Sequence, residues 1–168
     1  KNPLRDDRMP LDLRVRLVER MDEWQLCQLG WSLVLPLRPD EAEGLLITDV
    51  DLDKQRLEFG VRFTDCNFTK ERTRFVLPYP PEFGPLLARC VQGRWAGPLL
   101  RSRRSFDKPE SSDCGSDDAL RECYEAALLD AGGERVQAEH DRKLVFRDVL
   151  RKRWGGVSKD RMTVEFKQ

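Results

Sequence analysis

Two neighbouring stretches decide how this chain reads: Leu35-Pro36-Leu37-Arg38-Pro39-Asp40-Glu41, and then Gly44-Leu45-Leu46-Ile47-Thr48-Asp49-Val50-Asp51-Leu52-Asp53. Pro36 ends the helix before it, because proline has no backbone N–H to donate in a helix interior. Pro39 instead suits the first turn of a new helix, where that N–H would be unsatisfied anyway. Asp40 and Glu41 then fall at the positive end of the helix, which favours anions. This short helix is expected to end near Leu45-Leu46. Beyond it the apolar residues recur with a period of two, which marks strands.

Reading outward toward the N-terminus, Leu11, Val15, Val18 and Met21 share one face of an amphipathic helix from about Leu11 to Met21. A more buried helix follows from Asp22 to Leu35, with Trp24, Leu26, Cys27, Leu29, Trp31, Leu33 and Val34. Toward the C-terminus, Leu57, Phe59, Val61 and Phe63 alternate with polar neighbours, and Arg72 to Leu77 continues the pattern. Two or three short antiparallel strands are expected, with turns at Asp53-Lys54 and around Asp65 to Thr69. Pro80-Pro81 stops the sheet and opens a helix to about Cys90 that packs Phe83, Leu86, Leu87 and Val91. Gly97 to Leu100 reads as a short extended segment. Residues 101–118 are rich in breakers and read as a flexible loop. Asp117 or Asp118 then caps a helix to Ala131, closed by Gly132-Gly133. Another helix runs from about Ala138 to Trp154, and Ser158 caps a last one carrying Met162 and Phe166. The expected fold class is α+β, mainly helical, with a small antiparallel sheet of about three strands.

Composition narrows the possible functions. The 168 residues carry 30 Lys+Arg and 30 Asp+Glu, with 39% hydrophobic and 36% charged residues, which suits one domain with a polar surface. No apolar run approaches the roughly 18 residues of a membrane helix, and no secretory signal opens the chain. The start at Lys1 rather than Met reads as a cut piece. The 5 cysteines form no C-x-x-C pair and have 1 histidine to assist them, which speaks against a zinc site, a disulfide framework or a Ser-His-Asp enzyme. An odd cysteine count fits a reducing cytoplasm. Zero net charge argues mildly against phosphate binding, yet the charge is uneven: residues 1–60 hold 9 basic and 13 acidic groups, and residues 61–168 hold 21 and 17.

The chemistry centres on Arg38. An arginine at the mouth of a helix, with a carboxylate three residues on, can be held in one orientation, and an oriented guanidinium fork suits the paired oxygens of a phosphate. The competing reading is an ordinary surface ion pair with Glu41, which is common and weak.

At these residues the chain resembles the tyrosine recombinase (phage integrase) family. That family's first catalytic block reads approximately Gly-Leu-Arg-x-x-Glu and leads through a Leu-x-x-x-Asp-Val-Asp-like entry into a small sheet. Arg38 and Glu41 match the block, Leu45 to Asp53 match the entry, and Pro36-Leu37 departs from the family's Gly-Leu. Phe68-Thr-Lys-Glu-Arg-Thr-Arg-Phe-Val-Leu-Pro78 resembles the segment bearing the family's β-hairpin lysine. Pro81 to Cys90 and Val157 to Lys167 resemble later helices. The likeness covers roughly residues 11–100 and 155–168. Residues 1–10 would then be a linker from a preceding DNA-binding domain, residues 101–154 an insertion, and the chain a single partial catalytic domain.

The resemblance implies strand cleavage and rejoining of double-stranded DNA through a phosphotyrosine intermediate, by a homo-oligomer on DNA. It implies no metal or nucleotide cofactor, no membrane and no small-molecule substrate. Arg38 would grip a non-bridging oxygen of the scissile phosphate, Glu41 would fix Arg38, and Lys70 would protonate the departing 5′ oxygen. Fixed donors suit a phosphorane whose equatorial oxygens gain charge, and a lysine can act as acid where its surroundings bring its pKa toward neutrality. Lys70 also reads as a solvated turn lysine. Arg72, Arg74, Arg101, Arg103 and Arg104 read either as DNA-backbone contacts or as plain surface charge, and so does the helical stripe Lys143, Arg147 and Arg151.

The family completes its site with a His-x-x-Arg block and a tyrosine, and Gln168 falls about where that block should begin. His140-Asp-Arg-Lys143 resembles it superficially, with lysine where arginine is required. Tyr79 and Tyr124 read as packing residues. The alternative from another class is a non-catalytic DNA-binding or protein-interaction module that keeps the fold.

Overall fold

The computed structural model describes residues 10–30, 38–67, 75–132 and 138–157. Among these, helices α1 (Leu11–Arg20), α2 (Glu23–Leu29) and α3 (Pro39–Glu43) lead into strands β1 (Val50–Asp51), β2 (Arg56–Phe59) and β3 (Phe75–Pro78). Helices α4 (Gly84–Val91), α5 (Arg103–Phe106), α6 (Asp117–Asp130) and α7 (Glu139–Trp154) follow. The fold is therefore mainly helical with a three-stranded antiparallel sheet ordered β1-β2-β3. The expected helix beginning at Ser158 lies outside the described residues.

Local chemistry accounts for the element starts. Asp22 accepts the Gln25 N–H at 2.9 Å while Gln25 accepts the Asp22 N–H at 3.0 Å, a reciprocal capping box that opens α2. Ser116, rather than either aspartate after it, caps α6 by accepting the Ala119 N–H at 3.1 Å. Asp117 and Asp118 occupy the first turn instead, where the helix dipole favours them. Gly155 ends α7 with φ of 66°, a left-handed conformation that disfavours a side chain.

In the sheet, Leu57 pairs with Val50 and Leu77, and Phe59 pairs with Phe75. Leu57 and Phe59 are fully buried while Arg56 and Glu58 are half-buried, so the period of two separates the faces of β2. Phe59 and Phe75 stack with ring centroids 5.2 Å apart.

The core divides in two. One cluster joins Trp24, Cys27, Leu45, Leu57, Phe59, Phe83, Leu87, Leu99 and Phe106 around the sheet. The other joins Leu46, Phe63 and Cys66 to Leu120, Tyr124, Phe146, Leu150 and Trp154 of α6 and α7. Leu45 and Leu46 are consecutive and both fully buried, yet they face different clusters.

Two expectations change. Most of the expected apolar face of the first helix is uncovered: Leu11 is 76% exposed, Val15 48% and Val18 40%, and only Met21, just past α1, packs partly buried against the sheet cluster. Helical spacing identifies a face that can be covered without supplying the cover. Residues 101–118, expected as a flexible loop, fold into α5 and a 3₁₀ turn at Pro109–Ser112, with Arg101, Phe106 and Ser112 buried. The short polar residues of this stretch act as caps. Asp113 alone accepts the N–H groups of Trp95, Ala96 and Gly115, at 3.2, 3.1 and 2.9 Å.

Candidate active site

Arg38 is the exposed N-cap of α3, and its own N–H donates to Glu41 Oε2 at 3.0 Å. Glu41 is nearly buried at 9% exposure, so this bond fixes where the chain turns at Arg38. Glu41 thus holds the arginine by its backbone, which determines the point from which the guanidinium reaches out. The exit of α3 is equally tied down. Leu99 N–H donates to Leu45 O at 2.8 Å, and Ile47 N–H donates to Gly97 O at 3.0 Å.

Asp49, three residues after Leu46, repeats the capping device on a 3₁₀ turn. Its Oδ2 accepts the Leu46 N–H at 2.9 Å, and the residue is 1% exposed. Burial pushes its carboxyl up to about 7, against the opposing pull of that hydrogen bond and of the Arg62 guanidinium 3.9 Å away. Apart from its place in the matched entry, Asp49 was not a candidate residue from sequence. An acid three residues beyond the end of an apolar pair was the available signal.

The connection between β2 and β3 carries the predicted acid. Lys70, Arg72 and Arg74 lie outside the described residues, and Asn67 is the last described residue before them. Up to that point the connection is firmly held. Phe63, Cys66 and Asn67 are buried, and Asn67 Nδ2 donates to Gly44 O at 2.7 Å. A Cβ added at Gly44 would lie 2.3 Å from Asn67 Oδ1, so glycine is required there for this approach. Gly44 is the C-cap of α3, the helix that Arg38 begins.

The basic residues proposed for DNA separate clearly. Arg101, expected at the surface with Arg103 and Arg104, is instead fully buried. Its N–H donates to Gln28 Oε1 at 2.7 Å, its carbonyl accepts the Trp24 indole N–H at 2.9 Å, and its guanidinium donates to Ser105 O at 3.0 Å and to Gln92 Oε1. Burial lowers its pKa to about 10. Its bridge to Gly156, a pairing across more than fifty residues that spacing does not reveal, places it inside.

Arg103 and Arg104 are exposed, and Arg103 lies 4.6 Å over the Trp24 ring and 2.7 Å from Asp22 Oδ2. The stripe Lys143, Arg147, Arg151 also divides: Lys143 is buried, Arg147 pairs with Glu43 at 3.1 Å, and Arg151 pairs with Asp148. His140 is exposed in the first turn of α7.

Tyr79 is buried and donates to Asp51 O at 3.2 Å, and Tyr124 is buried against Phe146. Arg94, which sequence reasoning missed, is buried and donates to the carbonyls of Cys90, Val91 and Pro98 at 2.8, 3.1 and 2.8 Å. Among the described residues, no helix is long and apolar enough to cross a membrane.

No family model, no curated protein and no solved structure matches this chain.

Proposed function

We propose that this chain is the phosphate-gripping part of a tyrosine-recombinase-like catalytic domain, which cuts and rejoins double-stranded DNA through a phosphotyrosine intermediate. The observation that carries the reading is the bond from Asn67 to Gly44, which ties the Lys70-bearing connection to the helix headed by Arg38. Two cations contributed from separate segments need such a tie if they are to serve one phosphate. In this reading Arg38 neutralises a non-bridging oxygen as charge builds on the phosphorane. Glu41 sets the backbone from which Arg38 projects. Lys70 gives its proton to the departing 5′ oxygen as the bond from phosphorus to the tyrosine oxygen forms. Of the arginines read from sequence as backbone contacts, Arg103 and Arg104 are exposed among the described residues, with Arg103 also paired to Asp22. Arg101 is removed from that role by its burial.

The test is a suicide-substrate cleavage assay on the full-length protein carrying Arg38→Ala or Lys70→Ala. Each variant should lower covalent protein–DNA adduct by about a hundredfold or more, the scale of losing a fixed charge donor or a general acid. Undiminished adduct with both would overturn the assignment. Salt-sensitive DNA binding with no adduct from the wild type would favour the non-catalytic module instead.

A further inference from the structure

Helix α1 carries an apolar stripe with nothing over it. Leu11, Val15 and Val18 fall at i, i+4 and i+7, which puts them on one face, and all three are exposed. The half-buried residues of the helix, Arg14 and Leu17, lie on a different side, roughly a quarter turn away. Met21, just past the helix, continues that side and packs partly buried against the sheet cluster. The body of the molecule therefore stands beside the stripe and leaves its front open. Leu11, Val15 and Val18 also take the d, a and d positions of a heptad. A β-branched residue at a, with leucine at a neighbouring d, suits a parallel two-stranded pairing.

The charges bordering the stripe are sorted by edge. Asp12 and Glu19, both exposed, occupy the e positions along one edge, and Arg14 occupies the g position along the other. Two copies packed stripe to stripe in parallel would set the acidic edge of each against the Arg14 edge of its mate. Arg14 of one copy then meets Glu19 of the other at the g-to-e spacing of an interhelical ion pair. An antiparallel pair would instead set acidic edge against acidic edge, with Asp12 facing Glu19. It would also crowd both bodies onto the same side of the helix pair. A parallel pair has its two-fold axis running along the helices, which sends the bodies to opposite sides.

We propose that α1 is a self-association helix, which takes the α1 of a second copy of this chain in parallel through Leu11, Val15 and Val18. The pairing needs no DNA and does not depend on the function proposed above. The helix has 10 residues, a length of about 15 Å. So small a contact gives transient association, with a dissociation constant on the order of 100 µM.

The experiment is sedimentation equilibrium on the full-length protein without DNA, from about 5 to 500 µM, a range that brackets this constant. The wild type should pass from mostly monomer to mostly dimer. Val15→Asp puts a charge in the middle of the stripe and should abolish the dimer. It should leave the melting of the monomer unchanged, because Val15 is exposed. Glu19→Arg should weaken the dimer by roughly tenfold through two like-charge contacts, and adding Arg14→Glu should restore it. Val18→Cys should form a disulfide between copies through position 18, because a parallel pair places like d positions together. Mass spectrometry of the linked peptide reads this directly.

A wild type that stays monomeric at every concentration would overturn the proposal. Protection of the α1 amides from hydrogen exchange in that monomer would show that another stretch of the chain covers the stripe. Dimerisation untouched by Val15→Asp would place the interface elsewhere and overturn the proposal too. A double variant no tighter than Glu19→Arg would overturn the parallel register. So would a mixture of Leu11→Cys and Val18→Cys proteins that links position 11 to position 18 in preference to 18 with 18.

Discussion

The two hydrophobic clusters solve the same problem by different means. The cluster around the sheet gathers Leu45, Leu57, Phe59, Phe83 and Leu87, residues whose neighbours in sequence already show the period of a strand or a helix. The second cluster closes only when Leu46, Phe63 and Cys66 meet Leu120, Tyr124 and Phe146, more than fifty residues away. The buried polar groups differ as well. Arg94 and Arg101, beside the first cluster, are held by backbone carbonyls and amide side chains, so the charge is dispersed over local dipoles. At the second cluster, charged side chains line its rim and reach across to Asp65, Asp117 and Glu43. The first arrangement makes a scaffold. The second fastens one part of the chain to another.

Leu45 and Leu46 are the sharpest place to break this comparison, since they are adjacent, both fully buried, and assigned to opposite clusters. Leu45→Ala and Leu46→Ala should each cost roughly 2–5 kcal/mol of unfolding free energy in a denaturant titration. Native-state hydrogen exchange should separate them. Leu46→Ala should release protection mainly in α6 and α7, and Leu45→Ala mainly in the sheet and α4. Equal loss of protection everywhere in both variants would show that the clusters unfold as one unit.

A smaller effect is expected at Asp49, where the seam meets the sheet. Its carboxyl is raised from the ordinary 3.8 to about 7, so the folded chain holds a proton there that the unfolded chain releases. Asp49's stabilising contribution is fully present below about pH 4 and is lost as pH rises to about 7, by at most on the order of 4 kcal/mol. Asp49→Asn can keep the acceptor for the Leu46 N–H without the charge. Relative to wild type it should therefore gain stability steadily between pH 4 and pH 7. A constant difference across that range would show that Asp49 titrates normally. The comparison is needed because Asp22, Asp51, Asp113 and Asp148 are shifted the other way, chiefly through hydrogen bonds to backbone N–H groups or basic side chains.

The smallest effect belongs to Arg104, exposed on α5. Arg104→Ala should leave stability within about 0.5 kcal/mol. Under the proposed function it should also reduce the salt dependence of DNA binding by about one counterion. An unchanged salt slope would confine Arg104 to solvation.

Much of the candidate site's framework was legible before any coordinates. Pro39 opens α3, Glu41 stands at the position of a cap, and the change of period after Leu46 announces the sheet, while Pro36 and the end of the helix before it lie outside the described residues. Each of these is a short-range effect, set by a missing N–H, a helix dipole or the alternation of side chains. Arg101 was not legible, because a run of arginine and serine looks the same whether it faces water or bridges to Gly156. Asn67 was not legible for the same reason, since its bond to Gly44 spans twenty-three positions and leaves no local periodicity.

Local chemistry therefore determined which segments are helix or strand, where they begin, and which residues have a side that must leave water. Tertiary structure alone decided which arginine is buried, that α1 keeps its apolar face exposed, and that Arg121 and Arg147 of α6 and α7 pair with Asp65 and Glu43. The physical reason is range. Capping, φ restriction and periodicity act within about one turn of chain. Burial and ion pairing depend on what the folded chain brings alongside.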